Sequence, residues 1–219
     1  MTTSKYAGLK RGEQTVVEIF VDPMCPFAWL TSRWLVEVER MGRIELTIRV
    51  MSLSILNEGR DDVSDFYRDL VDRAWATARI AIAIERDHGH GALRAWYDAL
   101  GQRIHVAGEP VDDDVISETL AAVGLPITLA EGRSDNASDI DDRLRASHRC
   151  AVESVGNDVG TPVVHIVDDD RTIACFGPVV NPAPVGAEAV QLFDGVELVA
   201  GTPGFFELKR TRTGPLVFA

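Results

Sequence analysis

The sequence predicts an α/β fold of the order βαβ…ββα, with an all-helical stretch inserted between the two parts. Three observations carry this. Two β-branched apolar segments near the N-terminus flank one segment of helical period. Residues 61–150 then show helical spacing with no convincing strand. An apolar hairpin and one more helix close the chain.

Thr15-Val16-Val17-Glu18-Ile19-Phe20-Val21 is β-branched and aromatic, the pattern of a buried strand. Asp22-Pro23-Met24-Cys25-Pro26 breaks it. Pro26 suits the first turn of a helix, where its missing N–H costs nothing. Trp29, Leu30, Trp34, Leu35 and Val38 then recur at helical spacing to about Met41, and Gly42 ends that helix. From Arg43 to Leu53 the pattern alternates, with Ile44, Leu46, Ile48 and Val50 on one face of a second strand. The resulting βαβ unit calls for a right-handed crossover.

The middle is rich in Ala, Leu, Arg and acids, with Phe66, Leu70, Ala74, Ala78 and Ile82 at helical spacing. Gly89-His90-Gly91, Gly108-Glu109-Pro110 and Gly124-Leu125-Pro126 punctuate it into four or five helices. Val163–Val167 is a third strand, Asp168-Asp169-Asp170 a turn and Thr172–Phe176 the returning strand of a hairpin. Residues 184–193 have helical spacing. The division expected is residues 1–60 and 151–219 for the α/β part and 61–150 for the helical part. With the insertion removed, the order is that of a thioredoxin-like core, with a cleft between the two parts.

Composition bounds the function. The chain has 219 residues and a formal net charge of −12. That argues against nucleic acid and anionic membranes as partners, since both need a cationic surface. No apolar run approaches the roughly 18 residues of a membrane span. Met1–Gln14 is polar and lacks a signal-peptide core, so a cytoplasmic protein is expected. Cys25, Cys150 and Cys175 are too few and too oddly numbered for a disulfide scaffold. No Cys-x-x-Cys pair is present, and no metal site is expected.

The chemistry points to Cys25, at a strand-to-helix junction and followed by Pro26. A helix N-terminus offers free N–H groups and about half a positive charge, which favour thiolate over thiol. The expectation is an acidic, accessible nucleophile; the alternative is a buried, inert cysteine. Cys175, in an apolar strand, suits a small core residue, and Cys150 a place near the surface. His88 and His90 flank Gly89 in a polar turn, His165 lies within a strand, and His148 sits on a charged helix end where a cation suits the dipole. Gly160-Thr161-Pro162 precedes the third strand. In the thioredoxin order Pro162 is a cis-proline facing Cys25, and its loop can hold an extended thiol ligand.

Asp22-Pro23-Met24-Cys25-Pro26-Phe27-Ala28-Trp29, with Thr31-Ser32-Arg33-Trp34, resembles the active-site segment of the DsbA-like thioredoxin-fold family. More narrowly it resembles the mycothiol-dependent nitroreductase (mycoredoxin-like) branch. Val50–Leu53, Ile55–Glu58, Gly101–His105, Asp158–Pro162, Phe176–Val179 and Phe205–Thr213 extend the resemblance over the chain from about Val16. It implies a thioredoxin core with a helical insertion, a homodimer, and mycothiol or a similar small thiol as cosubstrate acting with a small-molecule substrate. Among cofactor-binding residues it implies Pro26, Phe27, Asn57, Tyr67, His105, Thr161 and Pro162, with Cys25 catalytic. His105 would line the cleft from the helical part, and Asn57 and Tyr67 would offer polar groups to a sugar-like thiol.

At one place the sequence departs from the branch. The family's Cys-Pro-Trp-Cys reads Cys25-Pro26-Phe27-Ala28. Ala28 cannot resolve a mixed disulfide, so the chemistry expected is monothiol exchange at Cys25, reducing mixed disulfides or nitro compounds. Two alternatives stand beside it: a thiol-dependent transferase of the kappa type or a 2-hydroxychromene-2-carboxylate isomerase-like enzyme, and a degenerate thiol-binding protein. The basic run Lys209-Arg210-Thr211-Arg212 suits a solvated tail, or a segment paired with an acidic partner subunit.

Overall fold

A computed structural model describes residues 14–59, 65–133, 138–168 and 171–218. Its elements are β1 (Thr15–Val21), α1 (Pro26–Arg40), β2 (Ile44–Val50), α2 (Leu53–Leu56), α3 (Asp65–Gly101), α4 (Asp113–Ala122), α5 (Ser138–Val152), β3 (Val163–Asp168), β4 (Arg171–Phe176) and α6 (Gly186–Ala200). A π-turn over Gln102–Val106 follows α3, and a 3₁₀ segment over Ile127–Arg133 precedes α5.

The four strands form one sheet in the order β2-β1-β3-β4. β1 runs parallel to β2, with Ile19 opposite Ile48, and antiparallel to β3, with Ile19 opposite Val164. β3 and β4 are antiparallel neighbours, with Ile166 opposite Ile173. The turn expected at Asp169 and Asp170 lies outside the described residues.

Strand alternation sends two sets of side chains to opposite faces. Val17, Ile19 and Val21 pack with Trp34, Leu35 and Val38 of α1 and Phe193 of α6. The Trp34 indole donates to Ala189 O at 2.9 Å, so the buried ring has its polar atom satisfied. On the other face, Phe20 and Val163 meet Ala151 and Val152 of α5. There the His165 imidazole lies 3.3 Å from Ala151 O and 4.7 Å from the Phe20 ring, a satisfied core histidine. A second apolar cluster, with Ile80, Ile84, Trp96, Leu120 and Leu144, holds the inserted helices together and reaches the sheet through Val50.

Gly89 breaks the long α3 as its place in the sequence predicts: with φ +82° and ψ 176° it is non-helical, and two helical stretches meet there at a kink. His88 and His90 flank that break, and His90 Nδ1 lies 3.2 Å from Glu85. Two local readings are corrected. The last helix extends beyond Phe193 to Ala200. Val196 and Ala200 continue its apolar face onto the core, and Arg43 ties it to the sheet by pairing with Asp194 at 2.9 Å and Glu197 at 2.7 Å. His148 is buried, and its Nδ1 accepts from Ser52 N at 3.3 Å. Burial pushes its pKa down to about 4, so it is neutral at pH 7 rather than a cation on the helix dipole.

The helical part meets α1 through an exceptionally close approach. A Cβ on Gly101 would lie 2.2 Å from the Trp29 ring. Only a residue without a side chain lets the end of α3 pass Trp29 and continue into the turn that carries His105.

Candidate active site

Asp22 comes directly after the end of β1, an interior strand, and organises the loop that follows. Its Oδ1 accepts from Met24 N at 2.9 Å, and its Oδ2 accepts from Leu53 N at 2.7 Å. Its carbonyl accepts from Cys25 N at 2.9 Å, and its own N–H donates to Thr161 Oγ1 at 3.2 Å. One buried residue thereby joins the Cys25 loop, the start of α2 and the loop before β3.

Cys25 caps α1. Its Sγ accepts from Ala28 N at 3.5 Å and donates to Thr161 O at 3.5 Å. The Thr161–Pro162 peptide is cis. Pro26 opens α1, and Ala28, the residue in place of a second cysteine, is fully buried beneath it. His105 approaches from the π-turn, its Nε2 3.0 Å from Pro23 O. The Trp29 ring lies 5.9 Å from His105 on one side and the Phe218 ring 6.1 Å on the other. The Arg212 guanidinium sits 4.5 Å over the Phe27 ring.

These positions decide the electrostatics. Cys25 is only 6% exposed. Burial pushes its thiol up to about 12; the Asp22 charge adds to this, while the Ala28 N–H and Arg212 oppose it. The expectation of an acidic, accessible thiol is therefore corrected. The helix N-terminus acts in the expected direction, but loss of solvent outweighs it. Burial also raises the Asp22 carboxyl to about 7, against the lowering effect of its two backbone N–H donors. His105 is pushed down to about 4 by burial and is neutral. A carbonyl can only accept, so the neutral ring carries its proton on Nε2 toward Pro23 O and leaves Nδ1 as an acceptor.

The structure thus gathers Cys25, Pro26, Phe27, His105, Thr161 and Pro162 in one place. It does not bring Asn57 to them: Asn57 caps α2, and its amide donates to Leu53 O at 2.7 Å. The Tyr67 side chain lies outside the described residues. Cys150 is exposed, Cys175 half-buried, and all three cysteines are free. Two features have no clear mark in the sequence. Asp22 reads there only as a strand breaker, whereas in the fold it is a buried carboxyl. The C-terminal segment reaches the site through Arg212 and Phe218, and no local pattern marks that.

The model of the family described as "Rv2466c-like: Mycothiol-dependent nitroreductase Rv2466c" matches residues 24–210. The chain belongs to that family. It is also 31% identical over 200 residues to the uncharacterized protein Rv2286c of Mycobacterium tuberculosis, covering 91% of this chain and 83% of that protein. Among solved structures, the probable DsbA oxidoreductase SCO1869 from Streptomyces coelicolor superposes with a TM-score of 0.55 at 16% identity, over 93% of this chain and 94% of that one. The cytosolic disulfide reductase DsbM from Pseudomonas aeruginosa gives 0.52 at 17%, over 84% and 98%. A 2-hydroxychromene-2-carboxylate isomerase gives 0.54 at 14%, over 83% and 93%. These likenesses establish the DsbA-like, thioredoxin-type fold, and the family makes the chain a thiol-dependent oxidoreductase with a mycothiol-type cosubstrate. Among the described residues no helix is long and apolar enough to cross a membrane.

Proposed function

We propose that this Rv2466c-like protein is a monothiol oxidoreductase in which Cys25 exchanges with mycothiol or a similar small thiol. The observation that carries the reading is Cys25 capping α1 against Thr161 O, with Ala28 where a resolving cysteine would stand. The Cys25 thiolate attacks one sulfur of a mixed disulfide. A new S–S bond forms to Cys25, the old one breaks, and the other half leaves as a thiolate. A second small thiol, deprotonated, then attacks the adduct, forms the small-molecule disulfide and frees Cys25. No second protein cysteine enters the cycle.

The groups present suit such a partner. Thr161 offers its carbonyl beside the sulfur, the half-buried Phe27 ring an apolar wall, and His105 Nδ1 an acceptor. Thr161 and Pro162 form the floor of the site, and His105 the side toward the helical part. Tyr67 is assigned, on the family resemblance alone, to the outer, sugar-like portion of the cosubstrate; Asn57, engaged with Leu53 O, is not. The protein is placed in the cytoplasm as a homodimer; the exposed apolar Val185, Leu198 and Phe206 support a self-association surface.

The test is the intact mass after incubation with oxidised mycothiol, beside a Cys25→Ser control. An adduct of one mycothiol that needs Cys25 and leaves with added mycothiol sustains the monothiol cycle. A second reading is favoured by the buried, protonated state of Cys25: a transferase or isomerase that activates a bound thiol without capturing it. Absence of an adduct, with mycothiol binding intact by calorimetry, moves the assignment there.

A further inference from the structure

The C-terminal segment is a coil that crosses the Cys25 site. Asn181 ties it down, donating from Nδ2 to Pro215 O at 2.9 Å and accepting from Val217 N at 2.8 Å through Oδ1. Phe218 stacks on His105. Between these fixed points and α6, the Arg212 guanidinium carbon lies 4.5 Å from the ring centre of Phe27, two residues from Cys25 in sequence. Lys209, Arg210, Thr211 and Arg212 line a shallow, open concavity of about 740 Å³ on this coil.

The basic residues there differ from the paired arginines that tie the sheet and helices together. Arg33, Arg43, Arg79, Arg103 and Arg145 each hold a carboxylate. Among the described residues no carboxylate lies within ion-pair distance of Lys209, Arg210 or Arg212, in a protein of net charge −12. Over the Phe27 ring the Arg212 guanidinium is without a carboxylate partner among the described residues, and its N–H groups match a planar carboxylate with two parallel hydrogen bonds.

We infer that Arg212 is a specificity-determining residue of this site, binding a carboxylate of the small disulfide whose sulfur Cys25 attacks. Lys209 and Arg210 extend the positive field along the coil. The inference rests on the reading of Cys25 as the exchanging thiol. It narrows the substrate to small anionic disulfides and separates it from the thiol cosubstrate, which need carry no charge.

The test compares two disulfide reagents, the dianionic dithiobis(nitrobenzoate) and the neutral dithiodipyridine. In each, the Cys25 thiolate attacks one sulfur, an aryl thiolate leaves, and a Cys25–aryl disulfide remains. Peptide-resolved mass spectrometry follows Cys25, with the exposed Cys150 as internal reference. The quantity read is the anionic-to-neutral rate ratio at Cys25, because any effect of Arg212 on ionisation of the thiol cancels in it. Arg212→Gln should lower that ratio about fivefold, the size of a half-exposed ion pair, and Arg212→Lys should recover part of it. High salt should lower the wild-type ratio toward that of the variant.

An equal ratio in wild type and Arg212→Gln overturns the inference, as does a change of oligomeric state as the variant's only effect, which assigns Arg212 to a subunit contact. If Cys25 reacts with neither reagent, the exchange reading itself fails. Calorimetry with S-methylglutathione, an anionic thioether that cannot form a disulfide, then decides the anion site. Binding that is weakened about fivefold in Arg212→Gln supports it, and binding that is absent or equal overturns it.

Discussion

Cys25 and Cys150 both sit at helix ends, yet their surroundings differ in every other respect. Cys25 caps the N-terminus of α1, nearly without solvent, its sulfur held between Ala28 N and Thr161 O. Cys150 lies in the last turn of α5, exposed. A helix N-terminus favours thiolate, so position alone would make Cys25 the readier nucleophile. Burial reverses that: desolvation of the thiolate is larger than what the Ala28 and Phe27 N–H groups and the Arg212 guanidinium return. The resting site is thus closed and protonated, and whatever admits solvent or ligand to it also switches on its chemistry.

This contrast predicts the largest effect. With iodoacetamide at pH 8, Cys150 should be alkylated at least about a hundredfold faster than Cys25, since a thiol near pKa 12 is almost wholly protonated there. The Cys25 rate should keep rising about tenfold per pH unit through pH 10 without a plateau. Equal rates at the two cysteines would mean that the covered state of Cys25 is not the one that dominates in solution.

Asp22 sharpens the same comparison from the other side of the loop. Its folded pKa is raised above the unfolded carboxylate value, from 3.8 to about 7. The stability it contributes is therefore fully present below pH 4 and is lost as pH rises through 7. Asp22→Asn removes that titration. Relative to wild type, the variant should gain stability between pH 4 and pH 8, by as much as about 4 kcal/mol for a shift of this size. Denaturant melts at the two pH values check it. Parallel pH dependence in the two proteins would mean that Asp22 is ionised in the fold.

The two strands, the helix between them and the thiol at its head were legible in the sequence because each rests on a local pattern. Thr15–Val21 is β-branched, Pro26 is at home in a first helical turn, and Ile44–Val50 alternates. What was not legible depends on residues far apart in the chain. The state of Cys25 is set by Thr161 and Asp22, and 136 residues separate Cys25 from Thr161. The reach of Arg212 to Phe27 has no periodicity to announce it. His148 looked like a surface cation because its neighbours Arg145 and Arg149 are charged, whereas its own face turns inward to Ser52. Nothing in the sequence pattern singles out Gly101, although its lack of a Cβ is what lets Trp29 in.

That last point gives a mid-sized effect. Gly101→Ala places a methyl group inside the Trp29 ring's space, and the ring, fully buried and packed on Tyr97, has little room to yield. Overpacking of this kind costs about 1–3 kcal/mol. The lost stability should appear in denaturant melts. Because the end of α3 must move, reaction at Cys25 should also accelerate relative to Cys150. A stable variant with unchanged thiol rates would show that Trp29 has a second position open to it.

The smallest effect concerns His105, the contact between the π-turn and the Cys25 loop. His105→Ala removes its hydrogen bond to Pro23 O and the surface on which Phe218 stacks. It also removes the Nδ1 acceptor proposed for the small thiol; one hydrogen bond contributes about 1 kcal/mol, so affinity for that thiol should fall about fivefold with the fold retained. The pH behaviour tells a site role from a purely structural one. The folded pKa of His105 is depressed to about 4 from 6.5. Its neutral form is the one the fold favours, so its contribution is present above pH 6.5 and lost as pH falls through 4. The variant should therefore lose less stability than wild type across that window. If thiol affinity in the variant is unchanged at pH 7 while the acid melt flattens, His105 serves the fold alone. If both change, one imidazole couples the helical part to the reacting sulfur.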